Sequence, residues 1–291
     1  MHSEHVVLMQ RIVDIMQQAF KQVIQQAHLF LYFRSDNMKI AIKPLALATA
    51  VSVASLAGAI APAQAEVTGN IGLFSKYILR GITNAPENDN TAVQGGIDWS
   101  FGPGFYLGYW GSNLGYSDPG KSNGFENDFY GGWGGSAGSF SWDLGLIYYY
   151  YLNISDANAM EAVGSLGFGP VSLGAKYLTD DVAWGNKGDV YWTLSGGTGL
   201  GDTDFDLSAV LGYYTYETDG EFIPDVPGAK SSAFRHFDIT LSHPIADSGA
   251  DWNLTYVFGG EDRFGVDQDN AVVLSLTWGL DILGKQAVMA K

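Results

Sequence analysis

The chain has 291 residues, with 15 Lys and Arg against 31 Asp and Glu, which gives a net charge of −16. It contains no Cys, so disulfide frameworks, thiolate metal sites and thiol catalysis are excluded, and its negative charge argues against a nucleic-acid-binding surface. Charged residues make up only 16% of the chain, below the ~25% usual in soluble domains. Gly and aromatic residues are frequent, which favours a β-protein whose outer surface is not fully exposed to water.

Residues 38–65 have the pattern of a secretory signal peptide. Lys39 and Lys43 form a short basic region, an apolar run from Leu45 to Ile60 follows, and Ala63 and Ala65 make an A-x-A cleavage site. A transmembrane helix is the alternative, but Pro and Gly interrupt the apolar run. We predict cleavage directly after this site and export across the inner membrane.

Residues 1–37 precede this signal peptide, although a signal peptide normally begins at the initiator Met. Val13, Met16 and Phe20 recur at helical spacing, which would suit an amphipathic anchor. We interpret residues 1–37 as an extension produced by a misplaced start codon. N-terminal sequencing of the mature protein tests both interpretations.

From residue 66 onward, apolar side chains alternate with polar or small ones. In the run from Ala92 to Phe101, Val93 and Trp99 share one face, and Gln94 and Asp98 lie on the other. Such alternation is typical of a half-buried strand, because successive side chains point to opposite faces. Each segment is about ten residues long, the length that a tilted strand needs to cross a bilayer. Twelve segments start near residues 67, 91, 104, 124, 140, 158, 171, 189, 203, 233, 251 and 270.

The connections between these segments alternate in length. Most even-numbered connections are short turns rich in Gly and Pro, whereas the odd-numbered ones are longer and polar, and aromatic residues gather where strands meet loops. This is the pattern of an outer-membrane barrel. We predict an all-β fold, a transmembrane antiparallel up-and-down β-barrel over residues 66–280, with both termini on the periplasmic side and a tail at 281–291. A soluble sandwich is the alternative.

Several local motifs resemble one known family. They are the Arg-Gly-Ile turn at Arg80, the strand from Ala92 to Asp98, the Trp-Gly-Ser-Asn run from Trp110 to Asn113, and the segment from Glu126 to Gly132. In order and spacing they resemble the TorF-type porin family, first recorded as a bacterial protein of unknown function, over most of residues 67–280. The resemblance implies an outer-membrane channel and supplies no catalytic residues. Unlike many outer-membrane barrels, the chain continues after its last aromatic strand residue, Trp278.

The polar face of the strands predicts the character of the lumen. Twelve tilted strands give a backbone diameter of about 24 Å and a lumen of about 10 Å. Acidic linings favour cations, so we predict a narrow, weakly cation-preferring channel for small polar solutes or ions. Lys76 and Arg80 are expected on one side of the first strand, about 13 Å apart. Alternatively, the charges pair with one another or solvate the wall. The predicted lining comprises Lys76, Arg80, Asp98, Glu126, Asp128, Asp143, Glu161, Lys176, Asp189, Asp204, Asp206 and Asp238.

Other chemistry has weaker support in the sequence. His236 and His243 are not accompanied by a nucleophile motif, so we predict no enzyme and no catalytic residue, with a barrel-embedded lipid hydrolase as the alternative. No cofactor or resident metal is expected, although the acidic loops at 179–181 and 262–269 could hold calcium. The expected partners are the lipid bilayer of the outer membrane, the outer-membrane assembly machinery and a second copy of the barrel. A non-conducting barrel with an adhesive or structural role stays an alternative.

Overall fold

The computed structural model describes residues 66–283, and every regular element in that range is a β-strand. The predicted extension, the signal peptide and the last eight residues of the tail lie outside the described residues. The first residues of the strands lie within three positions of the predicted starts. The strands are β1 (Glu66–Phe74), β2 (Ala92–Phe101), β3 (Phe105–Asn113), β4 (Phe125–Ala137), β5 (Phe140–Leu152), β6 (Ala159–Phe168), β7 (Val171–Leu178), β8 (Val190–Gly199), β9 (Asp206–Thr215), β10 (Ser232–Pro244), β11 (Ala250–Gly259) and β12 (Ala271–Leu283).

The strands form one closed barrel in which each strand pairs antiparallel with its neighbours in sequence. The barrel closes between β1 and β12, where Ile71 pairs with Trp278 and Val67 pairs with Leu283. Closure leaves no unpaired sheet edge, so backbone groups are satisfied all the way round. The strand β12 extends three residues past the expected end at 280, because its pairing with β1 continues to Leu283. The prediction of a twelve-stranded antiparallel barrel is confirmed.

The two ends of the barrel differ in their connections. The end that we call the turn end carries residues 102–104, 138–139, 169–170, 200–205 and 245–249, and the end that we call the loop end carries 75–91, 114–124, 153–158, 179–189, 216–231 and 260–270. Each connection at the turn end contains a Gly with a positive φ angle, such as Gly102, Gly138 and Gly169. Gly adopts this backbone conformation at no steric cost, which permits tight reversals between strands.

The outer face of the barrel is apolar. Leu146, at the middle of β5, is 51% exposed, and Leu166 on β6 is 54% exposed, although both side chains are fully hydrophobic. Aromatic side chains are exposed towards both ends, with Tyr148 and Tyr150 near the loop end and Phe168 at the turn end. Monomeric soluble proteins rarely expose a continuous apolar surface of this extent. The outer surface therefore suits hydrocarbon bordered by aromatic girdles. Within residues 66–283, no helix is long and apolar enough to cross a membrane.

The interior is packed at the loop end. Residues 77–82 of the β1–β2 connection, which we call the inward segment, enter the barrel, and Tyr77 packs in a buried cluster with Leu114, Ile147 and Leu178. These partners come from different sides of the barrel, and only a segment inside the lumen can reach them together. The loop half of the lumen is therefore filled by the chain itself, whereas inward-facing residues of the turn half stay partly exposed.

Candidate functional site: the interior of the barrel

The turn half of the interior is lined by acids. Asp98 on β2 and Asp143 on β5 are half-buried near the turn end, and each accepts a hydrogen bond from a tyrosine hydroxyl, Asp98 from Tyr130 and Asp143 from Tyr106. Within residues 66–283, every Lys and Arg lies in a loop-end connection or at the loop-end part of a strand. The turn half therefore carries acidic side chains that no described Lys or Arg offsets.

Two further acids, Asp206 and Asp251, stand at the turn-end starts of β9 and β11 and are close enough to interact electrostatically. Asp251 was not among the predicted lining residues. The alternation of Asp251, Asn253 and Thr255 along β11 was the available signal for it. Asp206, a predicted lining residue, lies two positions before the buried Ser208 on the same face of β9.

The central feature of the loop half is the contact between Arg80 and Glu161. Arg80 donates through Nη1 to Oε1 at 2.9 Å and through Nη2 to Oε2 at 2.7 Å, and both side chains are buried. The guanidinium also donates to the Tyr214 hydroxyl at 2.6 Å and lies 4.9 Å above the ring of Tyr191. The Tyr149 hydroxyl donates to Glu161 at 2.7 Å. A bidentate, fully hydrogen-bonded pair of this kind holds the inward segment against the barrel wall.

A second contact holds the same segment to β4. The hydroxyl of Tyr77 donates to Glu126 Oε2 and that of Tyr151 to Oε1, both at 2.8 Å. Burial, followed by the charge of Glu126, raises the pKa of Tyr77. Tyr77 therefore keeps its proton and donates it to Glu126. Glu126 is consequently engaged in the structure of the interior and is not open to solutes.

Asp128 lies two residues further along β4 on the same inward face. It is 0% exposed, and neither carboxylate oxygen has a hydrogen-bond partner in the described structure. Lys176 on β7 is among the charged groups that act on it. The charged groups predicted at these positions are thus brought together, with Arg80, Glu126, Asp128, Glu161 and Lys176 in one region of the loop half.

His236 on β10 is buried beside the inward segment. Its Nε2 lies 2.6 Å from the Tyr191 hydroxyl and its Nδ1 lies 2.8 Å from Asp238 Oδ1. The Ser232 hydroxyl accepts a hydrogen bond from Tyr213 instead of contacting this ring. The described contacts therefore give His236 a tyrosine and an acid as neighbours, and they do not assemble the serine–histidine pair that a hydrolase alternative requires.

Four predicted lining residues lie outside the strands. Lys76 and Arg80 do not share one strand, because β1 ends at Phe74 and Arg80 adopts a φ of 49° in the following turn. Lys76 pairs with Asp89 at the exposed rim. The expected placement of these two bases on one strand was therefore wrong. Asp204 is exposed in the β8–β9 turn, and Asp189 precedes β8, where it pairs with Arg263.

Arg235 and Arg263 belong to the interior but were not predicted. Arg235 donates to the backbone oxygen of Glu261 at 2.9 Å, and Arg263 lies 4.7 Å above the ring of Tyr216. Arg263 sits in a long loop, where periodicity provides no signal. Arg235 lies at a register shift in β10, between Phe234 and His236, which interrupts the simple alternation.

The acidic loops use their carboxylates within the protein. Asp262 Oδ1 accepts from the backbone nitrogens of Phe264 and Val266, and Asp180 Oδ2 accepts from the backbone nitrogen of Met160. Among residues 66–283, no group of three or more His, Asp or Glu side chains is arranged to hold a metal ion. The calcium alternative therefore gains no support from these loops.

The chain was compared with curated proteins, solved structures and protein families. No curated protein matches it. Crystal structures of Pseudomonas aeruginosa proteins resemble its fold: OccK11 (OpdR) at 14% identity with a TM-score of 0.37, OpdL at 14% with 0.38, and OprD at 11% with 0.36. The matched regions cover 74%, 75% and 69% of this chain and 64%, 68% and 63% of those chains. The chain thus spans less than two thirds of OccK11 and OprD, and at TM-scores below 0.5 these similarities carry no conclusion about its function.

The family itself is identified from sequence. The resemblance stated above is confirmed at the level of a family whose description names no activity, and the TorF-type designation stays a prediction. The family model described as "Bacterial protein of unknown function (Gcw_chp)" matches residues 57–223, which is more than half of the chain, and the protein therefore belongs to that family.

Proposed function

We propose that this protein is an outer-membrane porin that forms a narrow, acid-lined, weakly cation-preferring channel for small polar solutes or ions. The observation that carries the proposal is a closed twelve-stranded barrel with an apolar outer face and a polar interior. In a bilayer, only helices and closed barrels satisfy all backbone hydrogen bonds. A soluble monomer rarely exposes a continuous apolar surface such as the one to which Leu166 belongs.

The orientation follows from the connections. Outer-membrane barrels have short turns on the periplasmic side and long loops outside. We therefore assign the turn end to the periplasm and the loop end to the cell exterior, with assembly by the outer-membrane machinery. A homo-oligomer of the barrel stays a prediction.

The charge of the interior supports the cation preference. The turn half holds Asp98 and Asp143 in partly exposed positions without a described Lys or Arg at the same end. Acidic linings attract cations and repel anions. In the loop half, Arg80 is already paired with Glu161, so its charge is offset within the wall.

Planar-bilayer recording under a KCl gradient tests the channel. We expect discrete conductance steps and a zero-current potential whose sign shows that cations are more permeant than anions. The D98N/D143N double variant should move this potential towards zero, because both lining charges are lost. The matched control is D247N, since Asp247 is exposed in the β10–β11 turn, outside the lining. A zero-current potential of the opposite sign in the unmodified protein, which shows anion preference, would contradict the proposal.

A non-conducting barrel is the second candidate, and one observation favours it. The inward segment fills the loop half of the lumen with buried side chains such as Tyr77 and Arg80. Under this alternative, a well-folded protein inserted in the bilayer gives no current, and a variant that detaches the inward segment, R80A, gives current.

A further inference from the structure

The loops at 216–231 and 260–270 expose apolar side chains at the loop end of the barrel. Phe264 is 52% exposed and Phe222 is 40% exposed. These residues lie beyond the ends of the strands, so contact with lipid does not account for them as it does for the outer face. Exposed apolar residues gathered in one region mark interaction sites. The group that we call the loop surface comprises Phe222, Val226, Phe264 and Val266.

The two loops are fixed to each other and to the rest of the loop end. The backbone nitrogen of Lys230 donates to the Arg263 carbonyl oxygen at 2.8 Å, and Lys230 Nζ pairs with Glu261 at 2.9 Å. The fully buried Asn186 donates through Nδ2 to the Ile223 carbonyl oxygen at 3.0 Å. A surface that is already ordered loses little conformational entropy when a partner binds.

The loop surface is surrounded by carboxylates. The bases of the two loops are already used, because Lys230 pairs with Glu261 and Arg263 pairs with Asp189. In the part of the chain that the structure describes, none of the exposed acids of these loops forms an ion pair. The loop surface therefore attracts positively charged partners. These exposed acids are Glu217, Asp219, Glu221, Asp225, Asp267 and Asp269.

We propose that the loop surface binds a basic polypeptide segment that also carries apolar side chains. The apolar side chains of such a segment pack on Phe222 and Phe264, and its Lys or Arg groups meet the surrounding carboxylates. Aromatic anchors combined with complementary charge are typical of specific protein interfaces.

The same charges argue against two other occupants. A second copy of the chain would bring identical acids to a self-complementary contact, so like charges would face one another. Lipid phosphate groups also carry the negative sign of the loops. The inference goes beyond the proposed channel, because binding at the loop surface does not require conduction. Only the arrival of the partner from the cell exterior rests on the orientation assigned above.

Binding of a defined peptide tests the inference. The probe is a short, fluorescently labelled peptide of alternating Lys and Leu, added to the purified protein in nanodiscs of phosphatidylcholine, with the signal of empty nanodiscs subtracted. Matched peptides carry Glu in place of Lys or Ser in place of Leu. Fluorescence anisotropy should show that the Lys–Leu peptide binds about tenfold more tightly than either matched peptide. Equal affinities for the three peptides, or no binding beyond that of empty nanodiscs, overturn the inference.

Apolar variants assign the binding to the loop surface. F222S/F264S removes both aromatic anchors and should weaken binding of the Lys–Leu peptide about tenfold. The matched control is L200S/I245S, which removes two exposed apolar side chains at the turn end and should leave the affinity unchanged. An unchanged affinity in F222S/F264S overturns the assignment.

Charge variants test the electrostatic part. D225N/D267N should weaken binding about threefold and should reduce its dependence on KCl concentration. D202N/D247N removes two exposed acids at the turn end and should have neither effect. Equal effects of the two double variants overturn the charge complementarity. Analytical ultracentrifugation examines the second copy, and a dimer that F222S/F264S dissociates would overturn the peptide as the occupant.

Discussion

The guanidinium of Arg80 and the carboxylate of Glu161 form a bidentate ion pair inside the barrel, with N–O distances of 2.9 and 2.7 Å. The two residues are 81 positions apart in sequence. The pair joins a loop residue to the barrel wall, since Glu161 faces inward from the loop-end part of β6. The inward segment is thus held by a specific charged contact as well as by apolar packing.

Replacing Arg80 by Ala should destabilise the folded protein and loosen the inward segment. Removing one partner of a buried ion pair leaves the other charge uncompensated, which costs about 3–5 kcal/mol. Urea unfolding in lipid vesicles measures the loss, and single-channel recording should show a larger conductance. The control K76A breaks the Lys76–Asp89 pair, whose side chains are 40% and 67% exposed, and should change stability by less than about 1 kcal/mol. Equal effects of R80A and K76A would contradict the importance of the buried pair.

Replacing Gly81 by Ala should displace the inward segment by steric contact. Gly81 has a φ of 73°, and a Cβ atom there would lie 2.4 Å from the His236 Cβ and 2.9 Å from the Arg235 carbonyl oxygen. Gly120 provides the matched control, because its φ is 80° but nothing lies within 4 Å of its Cβ position. Both variants bear the backbone strain of about 1–2 kcal/mol, and only G81A adds the clash. Urea unfolding should therefore show a larger decrease in the free energy of unfolding for G81A than for G120A. Similar decreases would refute tight packing at Gly81.

Replacing Leu146 by Arg tests the membrane-facing surface. Leu146 is at the middle of β5 and is exposed on the outer face, so in a bilayer the charge would lie near the midplane, at a cost of about 2–4 kcal/mol. Phe264 is equally exposed but lies in a long loop, and F264R should be nearly neutral. Folding yield into lipid vesicles distinguishes the two. If L146R folded as well as F264R, the outer face would not be in contact with lipid.

The stability of the β1–β2 connection should depend on pH through Glu87. Burial raises the pKa of this half-buried carboxyl, while the hydrogen bond from Tyr116 and the charge of Arg80 act in the opposite direction. A folded-state pKa above the unfolded value means that the folded state binds the proton more tightly. Stability should therefore fall as pH rises from the ordinary carboxyl range through the raised pKa.

Amide hydrogen exchange in the connection, followed over about pH 4 to 7, measures this dependence after correction for the intrinsic exchange rate. E87Q should reduce the pH-dependent part, because the amide does not titrate. E221Q, at an exposed loop position, should leave it unchanged. If protection from exchange increased with pH, the predicted direction of the pH dependence would be wrong.

The positions of the strands could be predicted closely from the local sequence pattern. Val93 and Trp99 share a face with period two, and the glycines of the short turns stand where positive φ angles are needed. These features are local, so they are visible without any knowledge of the partners. The start of β9 was predicted less closely. The alternation of side chains already includes Asp204, but this residue lies in the β8–β9 turn, and the strand begins only at Asp206.

The sequence by itself determined the twelve strands and the closed antiparallel order that short and long connections permit. These properties depend on the period of side-chain direction and on composition. Only the tertiary structure decided that Arg80 leaves the first strand to meet Glu161, that Arg263 reaches Asp189, and that Asp128 is buried without a hydrogen-bond partner. Such contacts join residues far apart in the chain, so they arise only when barrel closure brings the walls and loops together.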